Sequence, residues 1–197
     1  MATNTSFVSG LRPVDNLRQP GSIGRVRRYF IPSTDATAVF LGDAVKSAGS
    51  ADSVTGLPTI AQAAAGDTIR GVVVGFDPVD GVTLATTNLN RVHRPASTAM
   101  YALVADDPDL VCEIQEDAVG GALAVTDIGE NCDLVVGSGN ATTGLSGMQV
   151  DSSTHVTTTA QVRLVGFVNR SDNVIGSANA KMLVVINEHE FKSTSGV

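Results

Sequence analysis

The sequence predicts an all-β protein, a small β-barrel or β-sandwich of about ten short strands with an extended N-terminal arm. Gly, Ala, Ser, Thr and Val dominate the composition, and only 17% of the residues are charged. Short apolar runs alternate with turn-forming segments such as "DPVDG", "DDPD", "GSGN" and "NRSDN". Two Ala-rich stretches, residues 36–46 and 60–66, fit either a strand or a short helix.

The length of 197 residues is enough for one main domain, which we place at residues 25–197, after an extended basic arm at residues 1–24. Up to Arg28 the chain holds five arginines and one acid, Asp15, whereas the remainder is strongly acidic. Apolar side chains such as Phe7, Leu11 and Leu17 lie between these charges. A solvated terminus has little use for them, so the pattern favours an arm that docks on an acidic surface over a disordered tail.

The strand in "TIRGVVVGF", residues 69–76, is apolar on both faces. Strict alternation places Ile69 and Val73 on one face and Val72, Val74 and Phe76 on the other. Such a strand needs two partners. We expect the domain core to cover one face and the arm or a neighbouring subunit to cover the second.

The segment "LVCEIQE" alternates cleanly, with Leu110, Cys112 and Ile114 inward and Glu113 and Gln115 outward, which predicts a strand with one wet face. The second cysteine lies in a separate apolar segment, and neither cysteine has a His or Cys neighbour at metal-ligand spacing. The sequence therefore favours two buried free thiols over a disulfide.

No catalytic motif is present. The three histidines, His93, His155 and His189, lie in separate segments without a local nucleophile, and we interpret them as surface or hydrogen-bonded structural residues. The Asp-rich segments "FDPVDG" and "ADDPDL" match tight turns better than a Ca²⁺ loop. We predict no enzyme activity, no metal and no cofactor.

A net charge of −7 argues against nucleic acid as a direct partner, because phosphate neutralisation needs surplus Lys and Arg. No apolar run approaches the ~20 residues of a membrane-spanning helix, and the first residues lack the apolar core of a signal peptide. We expect no membrane partner and synthesis in a cytoplasm.

A further pattern is "GDAV" at residues 42–45 followed by an Ala-rich segment that leads into the Gly-Val strand at residues 63–76. With the acidic, Ala/Gly/Thr/Val-rich composition, it resembles the head-decoration (cement) proteins of tailed bacteriophages. The chain is longer than the smallest of these proteins and carries the additional basic arm.

The resemblance implies a non-enzymatic virion protein that is made in the bacterial host cytoplasm, binds the exterior of the assembled capsid and stabilises it. Its implied partners are the major capsid protein and copies of itself, with a trimer favoured over a dimer. The predicted contact residues are Phe7, Leu11, Arg12, Leu17, Arg18, Arg25, Arg27 and Arg28 in and beside the arm, and Ile69, Val72, Val74 and Phe76 in the interface strand.

Two alternatives remain open. Another virion component, such as a tail-tube, head-fibre or minor capsid protein, would be made of similar strands. A carbohydrate-binding or hydrolytic β-sandwich is disfavoured because sugar recognition relies on aromatic platforms, and the chain has no Trp and two Tyr.

Overall fold

A computed structural model describes residues 4–80 and 91–193, in which nearly all regular structure is β. The prediction of an all-β fold is confirmed. Residues 1–3 of the predicted arm, and residues 81–90 and 194–197 of the predicted domain, lie outside the described residues. The strands are β1 (Arg12–Asn16), β2 (Val26–Ile31), β3 (Ala44–Ala51), β4 (Pro58–Gln62), β5 (Gly71–Asp80), β6 (Met100–Ala105), β7 (Leu110–Gln115), β8 (Asn131–Cys132), β9 (Leu134–Val135), β10 (Gln149–Val150), β11 (Val162–Phe167) and β12 (Lys181–Ile186).

Five of these strands close a barrel in the order β2-β4-β3-β5-β6. Neighbours in the barrel are antiparallel except β2 and β4, whose parallel pairing at Phe30 and Thr59 closes it. Apolar side chains from all five strands fill the interior, among them Tyr29, Val45 and Ile60. Each of the five strands therefore has a hydrogen-bonded neighbour on both sides.

A second, fully antiparallel sheet has the order β1-β7-β12-β11-β8, and β9 pairs with β10 beside it. Its inner face contributes Leu110, Cys112 and Ile114 to a core that also includes Ala44 and Val72 from the barrel. Barrel and sheet therefore share one apolar interior.

The strand β5 lies between these two cores. Val72 is buried in the shared core and Val74 packs against it, whereas Val73 is buried in the barrel interior. A register shift between Val73 and Gly75 interrupts the alternation, so Phe76 packs towards the barrel instead of lying on the side of Val72. Both faces are apolar, as predicted. The barrel interior covers one face, and the second sheet, whose edge strand β1 belongs to the arm, covers the other, with Leu11 in the same core as Val72.

Gly71 is required by the close approach of β5 to β6. A Cβ atom at this position would lie 2.4 Å from the backbone oxygen of Ala105 on β6. Only a residue without a side chain allows β5 and β6 to approach this closely.

The strand β7 has the predicted inward residues, but its other face is not wet. Glu113 and Gln115 are only 9% and 4% exposed. Arg170 covers Glu113 with a 3.1 Å ion pair, and the backbone N–H of Phe7 donates to Gln115 over 2.7 Å. The expectation of a solvated face was wrong because alternation cannot show what covers a face.

The two Ala-rich stretches contain no helix. Residues 44–46 belong to β3 and residues 60–62 belong to β4. The described helices are three single-turn 3₁₀ segments, Val125–Asp127, Ser152–Thr154 and Glu190–Lys192.

Candidate interaction surface

The acidic turn, residues 106–109, joins β6 of the barrel to β7 of the sheet. Its backbone is closed by hydrogen bonds from the N–H of Asp109 to the Asp107 carboxylate, at 2.9 Å, and from the N–H of Leu110 to the Asp107 carbonyl, at 3.2 Å. The prediction of a turn is confirmed for this Asp-rich segment but was wrong for "FDPVDG", because residues 76–80 belong to β5.

A basic segment, the link at residues 17–25, crosses between barrel and sheet beside this turn. It connects β1, which pairs with β7, to β2, which pairs with β6. The N–H of Leu17 donates to the Asp109 carbonyl over 2.9 Å, and the N–H of Asp106 donates to the Arg25 carbonyl over 3.4 Å. Each end of the link is therefore hydrogen-bonded to one end of the acidic turn.

Ion pairs fasten the arginines of this region to acidic residues. Arg18 lies 2.6 Å from Asp109, and Arg27 lies 3.0 Å from Asp106. A third pair joins Arg28 to Asp77 in "FDPVDG" over 2.9 Å. Of these three pairs, only Arg18 to Asp109 involves the predicted arm, since Arg27 and Arg28 lie in β2. Both Asp-rich segments of the sequence take part in the pairs.

Asp106 is the buried anchor of these contacts. Its carboxylate also accepts a hydrogen bond from the Tyr29 hydroxyl over 2.6 Å. That hydroxyl in turn accepts from Arg70, whose guanidinium pairs with Glu190 and lies 4.0 Å from the ring centre of Phe191. Burial, followed by the hydrogen bond to Asp106, raises the pKa of Tyr29, which therefore stays protonated as a donor.

The first residues of the arm are docked as well. The Asn4 amide donates to the carbonyls of Val174 and Ser177, and its oxygen accepts from the Val174 N–H over 2.6 Å. Leu11 is 1% exposed in the shared core, and its N–H donates to the Gly42 carbonyl over 2.9 Å. The arm from residue 4 onwards therefore forms part of the folded body instead of extending from it.

The predicted contact residues fall into three groups. Phe7 and Leu17 are 57% and 59% exposed, and the five predicted arginines are also exposed. Leu11, Ile69 and Val72 are buried in the chain's own core, so they present no surface to a second molecule. The last two, Val74 and Phe76, are half-buried against the two cores.

Arg12 and Arg25 differ from the other arginines of the region. Both are exposed, and within residues 4–80 and 91–193 neither forms an ion pair. With Phe7, Val14 and Leu17 they are exposed basic and apolar side chains of the arm and link on an acidic protein. Arginine and aromatic side chains are enriched at protein interfaces.

The histidines are structural, as predicted, but His189 is not on the surface. It is 1% exposed, and its Nδ1 accepts a hydrogen bond from the Phe191 N–H over 3.0 Å. Burial lowers the pKa of His189 to about 4. His93 stacks on Phe40, and the exposed His155 bonds to Glu130 through Nδ1 at 2.7 Å.

One group of possible metal ligands was not predicted from the sequence. Asp127, Glu130 and His155 place possible metal-ligand atoms within 4.8 Å of one another. Existing hydrogen bonds account for these positions, since Asp127 accepts from the Ala124 N–H and from Thr126 while Glu130 bonds to His155. The β-bridge between Asn131 and Val156 brings residues 127–130 close to His155. The spacing of these residues in the sequence does not predict this contact.

Both cysteines are buried and free, which confirms the preference for thiols over a disulfide. Burial raises the pKa of Cys132 to about 12 and raises that of Cys112 as well. Neither side chain is a thiolate nucleophile at neutral pH.

No family model, curated protein or solved structure matches this chain. Within the described ranges, no helix combines the length and the apolar content required to cross a bilayer.

Proposed function

We propose that this chain is a virion structural protein of a tailed bacteriophage that binds the outer surface of the assembled capsid and stabilises it without catalysis. The observation that carries the proposal is the set of exposed side chains in the arm and link, with Arg12 and Arg25 without an ion pair among the described residues and Phe7 and Leu17 more than half exposed. The resemblance of the sequence to head-decoration proteins supports it independently.

The architecture suits a protein that resists outward pressure on a shell. A closed barrel and a second sheet share one core, and the turn between them is bound to the link by hydrogen bonds and ion pairs. These contacts tie the two halves of the molecule together. The exterior of a capsid is the proposed location, and the major capsid protein and copies of this chain are the proposed partners.

Burial of the tyrosines favours this proposal over a carbohydrate-binding module. Tyr29 and Tyr101 are 2% and 5% exposed, so neither ring is available as a platform for a sugar. Other virion parts share these features, and only copy number separates them from a decoration protein.

The deciding experiment is co-sedimentation with undecorated heads of a phage whose genome encodes this chain. We expect saturable binding at a ratio to the major capsid protein that symmetry fixes. A F7S/L17S variant removes two exposed apolar side chains of the arm and should weaken binding at least tenfold. The matched control is V54S/V119S, since these valines are 69% and 59% exposed but lie outside the arm.

Failure of the wild-type protein to bind heads overturns the proposal. Binding at a few copies per virion would instead assign the chain to a tail or fibre. Equal loss of binding in both double variants would show that the arm is not the contact surface.

A further inference from the structure

The arm is held by residues that are far away in the sequence. Asn4 is hydrogen-bonded to residues about 170 positions later, and β1 pairs with β7 in the register Arg12 to Glu113. At the other end of the arm, Arg18 pairs with Asp109. Because none of these contacts is local, the docking site would accept the same segment from another copy of the chain equally well.

The link that connects the arm to the barrel is suited to a change of direction. It is largely exposed, contains Pro20, and has glycines at φ +84° (Gly21) and +71° (Gly24). Its internal hydrogen bonds are turn contacts, such as Ser22 N–H to the Gln19 carbonyl at 3.2 Å. Residues 17 and 18 are held by Asp109, so the free part of the link is residues 19–25, and these seven residues at 3.3–3.6 Å each span roughly 23–25 Å when straightened.

The charge distribution favours an arm from a second copy of this chain as the segment that occupies the docking site. The body is acidic, and the net charge of −7 makes copies of it repel one another at close range. The arm is basic, and its docking site includes the acidic turn. Exchange places Arg18 of one copy on Asp109 of the next, so the ion pair that lies within one chain here would join two acidic copies without a new interface.

We propose that the arm is exchanged between copies of this chain, so that residues 4–18 of one molecule form β1 on the sheet of another. The partner is a second copy, and each sheet receives one arm in the register seen here. Reciprocal exchange gives a closed pair, and head-to-tail exchange gives a ring. The inference deepens the proposed function by naming the subunit contact, but it concerns the purified protein and needs no capsid.

The test uses two single-cysteine chains in a C112A/C132A background. One chain carries R12C and the other carries E113C, and the two carry different tags and are co-expressed, purified through both tags and oxidised. Arg12 and Glu113 are register partners, so a disulfide between the chains forms only when the arm of one lies on the sheet of the other. We expect a covalent species of twice the 20.2 kDa chain mass on a non-reducing gel.

The matched control pairs the E113C chain with an L183C chain. Leu183 faces Glu113 across β12 and β7, two strands that belong to the body and are not exchanged. This mixture should give no covalent dimer, although an E113C/L183C double variant should form a bridge within one chain. Both mixtures share the loss of the Glu113 contact to Arg170, so that loss cannot explain a difference between them.

A R12C/E113C double variant that forms a bridge only within one chain, together with no dimer from the mixture, overturns the inference. If the cysteine-free background does not fold, the native thiols are retained and the bridged peptides are identified by mass spectrometry, since Cys112 and Cys132 are buried. Loss of head binding alongside a covalent dimer would reject the proposed function while leaving arm exchange established.

Discussion

Arg27 and Asp106 form a 3.0 Å ion pair in which the two side chains differ sharply in exposure, at 45% for the arginine and 1% for the aspartate. The pair joins the start of β2 to the acidic turn and holds the end of the link in place. Arg18 and Asp109 form a shorter pair at 2.6 Å, but the arginine is 84% exposed. Comparing the two pairs shows whether distance or burial decides how much an ion pair contributes to stability.

We predict that R27A destabilises the protein more than R18A does, although the Arg18 pair is shorter. Removal of Arg27 leaves a buried carboxylate with one fewer partner, which costs about 1–2 kcal/mol after allowance for the exposed arginine. Removal of Arg18 should cost about 0–1 kcal/mol, as is usual for a surface pair. Urea unfolding at low salt measures both, and a larger loss for R18A would contradict the role assigned to Asp106.

Leu11 and Leu17 test whether the arm is docked in solution. Leu11 is buried in the shared core, so L11A should lower the free energy of unfolding by about 2–4 kcal/mol. Leu17 is 59% exposed, so L17A should change it by less than about 0.5 kcal/mol. Equal and small effects would show that the arm does not contribute to the fold.

Gly71 and Gly75 are matched probes of β5. A Cβ at Gly71 would lie 2.4 Å from a backbone oxygen, whereas at Gly75 the nearest atom is a Leu103 side-chain carbon at 3.4 Å. We expect G71A to destabilise by about 1–3 kcal/mol or more, because β5 and β6 must separate, and G75A to cost less than about 1 kcal/mol. Thermal unfolding of both variants provides the comparison, and tolerance of G71A would refute the close approach of the two strands.

His189 makes stability fall in mild acid. Its folded pKa of about 4 lies below the ordinary value of 6.5, so the unfolded chain binds a proton first as the pH falls. The contribution is therefore complete above pH 6.5 and is lost progressively towards pH 4, by about 3 kcal/mol in total. The H189N variant keeps an acceptor for the Phe191 N–H but does not titrate.

Urea unfolding at pH 7 and pH 5 provides the measurement for His189. The loss of stability between the two values should be smaller in H189N than in the wild type. An identical loss in both proteins would assign the acid sensitivity to carboxylates alone.

The sequence was sufficient for features that depend on local pattern. Turn residues marked the acidic turn, and alternation in "LVCEIQE" identified Leu110, Cys112 and Ile114 as core residues. The excess of arginine up to Arg28 indicated contacts with acidic residues, and Arg18, Arg27 and Arg28 form such ion pairs within the chain. Each of these depends on residue type and on spacing over a few positions.

Features that depend on distant pairing were not accessible. The sequence showed that β5 is apolar on both faces, but not that the second sheet of the same chain covers one of them, so Ile69 and Val72 were misplaced at a subunit contact. The parallel closure by β2 and β4, the burial of His189 and the grouping of His155 with Asp127 all depend on segments brought together only in the folded state. Alternation defines faces, but it does not define what they face.

The register between Arg12 and Glu113 has a consequence for synthesis. The arm leaves the ribosome first, and the strand it pairs with follows about 100 residues later. At roughly 5–20 residues per second, the arm is without its own docking site for on the order of 5–20 seconds. A second copy of the chain that is translated from the same messenger RNA and has already folded could bind the arm during that interval. Exchange would then not require the arm of a folded molecule to detach from its own sheet.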